Sequence, residues 1–187
     1  VLRSVEPPLS AFAGRQVTGV ERLGKRIVIA VEDDLFLVIH LMIAGRLKWV
    51  GTEKVPKGGL ATIVFNTGTL VLTEAGTKRR ASITAVDGRS ALRAMDRGGL
   101  DVLLADDATV IERLLSELHT LKRSLTDPRL FDGIGNAYSD EILHAAQLSP
   151  LQLTGKLSDA DALRLAGAMR NTLIEWTERL RREVGTG

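Results

Sequence analysis

The chain has 187 residues, 44% of them hydrophobic and 26% charged, with no cysteine and a formal net charge of +2. That composition builds a globular protein with a sizeable core and excludes a disordered or collagen-like chain. It also excludes a disulfide framework and a thiolate zinc site, and it points to a reducing compartment. No apolar run approaches the roughly eighteen residues of a membrane span, because Glu32, Asp33 and Asp34 interrupt the stretch from Val28 to Leu41. The small net charge conceals an asymmetry: residues 1–80 carry twelve Lys or Arg against seven Asp or Glu, and the remainder thirteen against sixteen. A basic first half favours an anionic partner. The chain starts at Val1 with neither a charged leader nor an apolar one, so the expectation is a piece of a longer protein without a signal peptide.

Short runs rich in Val, Ile, Leu and Thr fill the first half: Val17–Leu23, Arg26–Glu32, Leu35–Leu41, Arg46–Val50, Ala61–Phe65, Thr69–Thr73 and Ala81–Ala85. These predict strands. Asp33-Asp34 fits a tight hairpin turn and Asn66-Thr67-Gly68 another, so consecutive strands are expected to pair antiparallel. Ile27–Val31 is apolar on both faces, as a strand is when its sheet lies between two other layers. From about Asp87 the period lengthens, and helices are predicted over Ser90–Asp96, Ala108–Leu118, Leu121–Leu125, Asn136–Gln147 and Asp159–Glu183. Asp106 or Asp107 caps the second of these, and Ser158 with Asp161 forms a capping box before the last. In that last helix Leu163, Ala166, Met169, Leu173, Trp176 and Leu180 make one apolar stripe, predicted to pack in the core.

The stretch richest in possible chemistry is Leu130-Phe131-Asp132-Gly133-Ile134-Gly135-Asn136-Ala137-Tyr138-Ser139-Asp140-Glu141. Two glycines before a helix can aim backbone N–H groups at a phosphate. A dinucleotide-binding fingerprint fails here, since Tyr138 replaces its third glycine and helical sequence with Pro128 precedes it in place of a strand. Two glycines making a tight turn between helices, with Asn136 as a cap, is the purely structural alternative.

Lys122, Gly133-Ile134-Gly135-Asn136 eleven residues later, then Tyr138, Glu141 and Leu148-Ser149-Pro150 closely resemble the helix-two-turns-helix element of the formamidopyrimidine-DNA glycosylase and endonuclease VIII family. Arg22-Leu23-Gly24-Lys25-Arg26 and Ile39-His40-Leu41-Met42-Ile43-Ala44-Gly45-Arg46-Leu47 look like that family's lysine hairpin and its His-Leu-Gly-Met-Ser-Gly segment. The resemblance covers essentially the whole chain. It implies an α+β protein of two domains: an antiparallel β-sandwich over residues 1–86, a connector over 87–105, and an all-helical DNA-binding domain over 106–187.

The resemblance further implies base-excision repair, in which an oxidised base is excised and the abasic strand is cut by elimination. Lys25 matches the family lysine assigned as proton donor in that elimination, a role open to an ammonium that also binds phosphate. Gly133, Gly135 and Asn136 match phosphate contacts, and Lys122 a lysine facing the lesion strand. His40 aligns with a histidine near the DNA, with a core histidine bonded to a carbonyl as the alternative. The intercalating methionine of the family falls on Ile43, or on Met42 with a shift of one residue; either apolar side chain can fill the gap left by an extruded base. The second loop, Thr73-Glu74-Ala75-Gly76-Thr77-Lys78-Arg79-Arg80-Ala81, keeps the basic cluster, with Arg79 or Arg80 at the place of the orphan base, and lacks the family's Pro and Phe.

The family's nucleophile is the amine of an N-terminal proline followed by glutamate, and here Glu6, Pro7 and Pro8 are internal. An internal proline has no free amine. The expectation is therefore a chain that binds damaged double-stranded DNA without cutting it, as a monomer, in a bacterial cytoplasm at the nucleoid. No cofactor or metal is expected in this chain, and zinc is implied for the full-length protein. The alternatives are a family member that only binds damaged DNA and a structural RNA-binding module.

Overall fold

The computed structural model describes residues 2–51, 59–75 and 77–184. By internal contacts the chain divides into two compact units, Val1–Asp96 and Arg97–Gly187. The division falls inside the 87–105 stretch.

The first unit holds seven strands: β1 (Val17–Leu23), β2 (Arg26–Val31), β3 (Leu35–His40), β4 (Gly45–Val50), β5 (Ala61–Phe65), β6 (Gly68–Glu74) and β7 (Ser82–Asp87), followed by the short helix α1 (Arg89–Arg93). They form a four-stranded sheet in the order β1-β2-β3-β7 and a three-stranded sheet in the order β4-β6-β5. Every ladder is antiparallel. The expectation that consecutive strands pair holds for β1-β2, β2-β3 and β5-β6. It fails for β3-β4, β4-β5 and β6-β7: the chain changes sheet after β3 and again after β6, β4 pairs with β6, and β7 pairs with β3. The cause is burial, because Leu35, Leu37 and Ile39 of β3 face Leu72 of β6 in one shared core, which requires two stacked layers.

Both-sided burial of β2 is explained by this layering. Ile29 and Val31 join the core between the sheets, while Val28 and Ala30 pack on the opposite face with Phe36, Val38, Val86 and Leu92 of α1. The three-residue β2-β3 turn places Asp33 and Asp34 at φ 61° and 57°, left-handed backbone that short polar residues tolerate. Gly24, at φ 62°, takes the first turn position of the β1-β2 hairpin and leaves Lys25 as the second.

The second unit contains α2 (Asp107–Leu115), α3 (Leu121–Thr126), α4 (Asn136–Ala145) and α5 (Asp159–Val184). Asp106 supplies the cap of α2 by accepting from the Thr109 N–H at 2.8 Å, so the choice between the two aspartates is settled by position. Helix α2 stops at Leu115, three residues before the predicted end. Its core, which includes Leu114, Leu121, Leu125, Phe131, Ile134, Ile142, Leu165 and Met169, is separate from those of the first unit. The capping box of α5 is present in both directions: the Asp161 N–H donates to Ser158 Oγ at 3.2 Å and the Asp161 carboxylate accepts from the Ser158 backbone.

The predicted stripe of α5 needs correction. Ala166 and Met169 are buried, but Leu163 and Leu180 are exposed, and Ala162, Leu165 and Thr172 are the other buried positions. Leu173 of the predicted stripe packs against the helical core, and the small residues Ala162 and Thr172 add to the buried face. Among the described residues no helix is long and apolar enough to cross a membrane.

Candidate nucleic-acid interface

Sheet register gathers one group of candidate residues at a single end of the β unit. His40, the last residue of β3, lies opposite Arg26 of β2 on one side and Ser82 of β7 on the other. Lys25 therefore stands at the turn beside His40, and the β6-β7 loop with Arg79 and Arg80 enters the same end immediately before Ser82. Lys25, Arg79 and Arg80 are all exposed. Gly76 of that loop lies outside the described residues. Glu74 holds the loop's base, its carboxylate accepting from the Ala81 N–H at 3.0 Å and from the Arg80 backbone. These backbone bonds, more than the neighbouring Arg79 and Arg80 charges, hold the Glu74 carboxyl below its usual range.

The segment after His40 is a tightly pinned projection. The Gly45 N–H returns to the Leu41 carbonyl at 2.9 Å, the Met42 N–H donates to His40 Nδ1 at 3.1 Å, and Arg46 donates to the Gly45 carbonyl at 2.8 Å. Met42 sits at φ 56°. At the tip Ile43 is 82% exposed and Met42 46% exposed, so two large apolar side chains point into solvent from a fixed turn. Exposed apolar side chains of this size are the kind that minor-groove-binding proteins insert between base steps.

His40 is thus an acceptor at Nδ1, which places the proton of the neutral ring on Nε2. The alternative of a core histidine bonded to a backbone carbonyl is not the arrangement found. Partial burial, then Arg26, then Lys25 push its pKa below the usual 6.5, so the ring is neutral at pH 7.

The second group lies in the helical unit. Gly133 takes φ 79°, which reverses the chain, and Gly135 occupies the cap position of α4 in extended conformation with no side chain bonding the first turn. The leading N–H groups of α4 are left facing outward with the positive end of the helix dipole. Asn136 opens the helix and is exposed. Its carbonyl accepts from Lys122 Nζ at 2.9 Å and from Ser139 Oγ at 2.8 Å. Lys122 also forms an ion pair with Asp140. Tyr138 of the same motif is a packing residue, edge-on to Trp176 of α5 with ring centroids 5.7 Å apart. Upstream, Asp127 ends α3 and folds back on Arg129, whose side chain and backbone N–H lower the Asp127 pKa to about 2. That pairing shapes the turn leading to Gly133.

Sequence reading did not single out Asp140, Glu74 or Arg46. Asp140 had a signal, being four residues after Asn136 on the same helix face as a lysine's target; Glu74 and Arg46 act through backbone groups, which leave no pattern in side-chain type. The zinc implied for a longer protein finds no donor set here: there is no cysteine, and among the described residues no cluster of three or more His, Asp or Glu could hold a metal.

Two family models cover nearly the whole chain, the formamidopyrimidine-DNA glycosylase N-terminal domain over residues 2–93 and the formamidopyrimidine-DNA glycosylase H2TH domain over residues 102–183. The chain belongs to the formamidopyrimidine-DNA glycosylase family. A formamidopyrimidine-DNA glycosylase of Moorella thermoacetica is 33% identical over 173 residues, covering 87% of this chain and 61% of that protein. An uncharacterised formamidopyrimidine-DNA glycosylase-like protein of Mycobacterium tuberculosis is 42% identical over 95 residues, covering 51% of this chain and 56% of its own. Among solved structures, MutM in complex with carbocyclic 8-oxo-G containing DNA superposes with a TM-score of 0.76 at 20% identity, covering 87% of this chain and 62% of that one. The Lactococcus lactis enzyme bound non-covalently to abasic-site DNA gives 0.74 at 21% identity, covering 84% and 62%. The chain spans about three fifths of the length of these relatives, and the structural likeness establishes the fold shared with them.

Proposed function

We propose that this chain is the DNA-binding body of a base-excision repair glycosylase that removes oxidised bases such as 8-oxoguanine or formamidopyrimidines and cleaves the resulting abasic site by β-elimination. The observation that carries the reading is the coincidence of Lys25, His40 and the Met42-Ile43 tip at one end of a sheet, in a chain whose other unit presents an uncapped helix start behind Gly133 and Gly135. In this reading the leading N–H groups of α4, Asn136 and Lys122 bind phosphates of the lesion strand. Lys25 binds the phosphate next to the lesion and donates the proton in elimination. Met42 or Ile43 fills the gap of the flipped base, and Arg79 or Arg80 takes the place opposite the orphan base. The partner is damaged double-stranded DNA, bound by a monomer at the nucleoid of a bacterial cytoplasm; zinc belongs to a longer protein and not to these residues.

The 187-residue chain itself binds without cutting. Its prolines are internal, and an ordinary lysine, protonated near pH 7, is a poor amine nucleophile. Incubation with a duplex carrying one 8-oxoguanine or abasic site, with and without borohydride, tests this: binding with no nicked strand and no covalent adduct is expected. An adduct lost on Lys25→Ala would show a lysine acting as nucleophile and would overturn the division of roles. A catalytically silent damage binder is the second reading; it predicts that a chain given a Pro-Glu start still does not cut.

A further inference from the structure

Lys122 is held in a way that phosphate binding alone does not require. Its ammonium donates to the Asn136 carbonyl at 2.9 Å and pairs with Asp140 one helical turn further along α4. The Lys122 side chain is 28% exposed and that of Asp140 65%, so the lysine lies against the protein and the carboxylate faces water. The Asn136 carbonyl also receives Ser139 Oγ, whose residue is fully buried. The first residue of α4 is therefore fixed through its backbone while its side chain remains outside.

We propose that Asp140 is a positioning residue: it holds the Lys122 ammonium against the first turn of α4, fixes Asn136 there, and withholds part of the Lys122 charge from DNA. The inference rests on the phosphate-binding reading of this helix start. A carboxylate and a phosphate compete for the same ammonium, and an exposed carboxylate holds it loosely. Asp140 thus lowers non-specific electrostatic affinity and makes contact depend on the geometry of Asn136 and the N–H groups.

Salt titrations of binding to a duplex with a tetrahydrofuran abasic analogue test this on the whole chain, as wild type, Asp140→Asn, Asp140→Glu, Lys122→Ala and the Asp140→Asn, Lys122→Ala double variant. Asp140→Asn is expected to steepen the plot of log affinity against log salt by up to about 0.9 and to tighten binding at low salt. Asp140→Glu is expected to keep the wild-type slope, and the effect of Asp140→Asn is expected to vanish when Lys122 is Ala. An unchanged slope in Asp140→Asn, or the same steepening in the Lys122→Ala background, overturns the proposal. Wild-type binding that fails altogether, or that ignores Asn136→Ala, refutes the phosphate-binding reading instead. In that event amide exchange of the free protein decides the positioning claim: faster exchange at Asp140 in Lys122→Ala supports it, and unchanged exchange overturns it.

Discussion

Charge and neutrality separate the roles of single residues. Lys25 and Asn136 are both assigned to phosphates, but only the lysine displaces a counterion when it binds. Lys25→Ala is expected to lower the salt slope of duplex binding by about 0.9, whereas Asn136→Ala weakens binding with the slope unchanged; equal slopes in both variants contradict the assignments. His40 supplies a pH dependence. Its folded pKa lies below the usual 6.5, so as pH falls the unfolded chain takes up the proton first, and stability present above 6.5 is lost as pH drops toward the folded value. His40→Gln, whose amide oxygen can still accept from Met42, is expected to flatten the dependence of urea stability between pH 7 and 5. A pH profile identical to wild type would show that His40 does not carry it.

At the scale of elements, the turn between β3 and β4 is the most constrained. A Cβ on Gly45 would stand 2.3 Å from the Leu41 carbonyl oxygen and 3.0 Å from two further Leu41 backbone atoms, and no side chain can yield there. Gly45→Ala is expected to cost about 1–3 kcal/mol and to reduce affinity for damaged duplex roughly tenfold (a factor of ten is about 1.4 kcal/mol) by releasing the Met42-Ile43 tip. Wild-type stability in urea together with wild-type affinity would contradict the pinned-turn account. Strand positions and the start of α4 were legible because alternation, the Asp33-Asp34 turn and the two glycines leave marks in residue type. The departure of β4 from its neighbour was not, because pairing between sheets is decided by which faces share a core. The burial of Ala162 and Thr172 in α5 escaped for a related reason: both are small, and a reading that follows Leu and Trp passes over them.

For the whole molecule, the helical unit has a core distinct from the two clusters of the β unit, so its stability is expected to be readable on its own. The chain has two tryptophans, Trp49 in β4, stacked on Phe65, and Trp176 in α5, against Tyr138. Phe131 is fully buried in the helical core, so Phe131→Ala is expected to destabilise the transition seen at Trp176 by about 3–5 kcal/mol, measured in a Trp49→Phe background; a shift under about 1 kcal/mol would contradict its place in that core. Family membership was readable from the spacing between Lys122 and Gly133-Asn136 and from the Lys25 hairpin. The Lys122 ion pair was not, since only the fold shows which carboxylate a flexible lysine reaches.

The proposed hold on damaged duplex through the start of α4 and the Met42-Ile43 tip is read out by affinity for one duplex with and without a single abasic analogue. Tighter binding to the abasic duplex is expected, with the preference lost when Met42 and Ile43 are both changed to Ser and binding to both duplexes weakened in Asn136→Ala. Equal affinity for the two duplexes in the wild-type chain, or a preference that survives the double Ser variant, would contradict it.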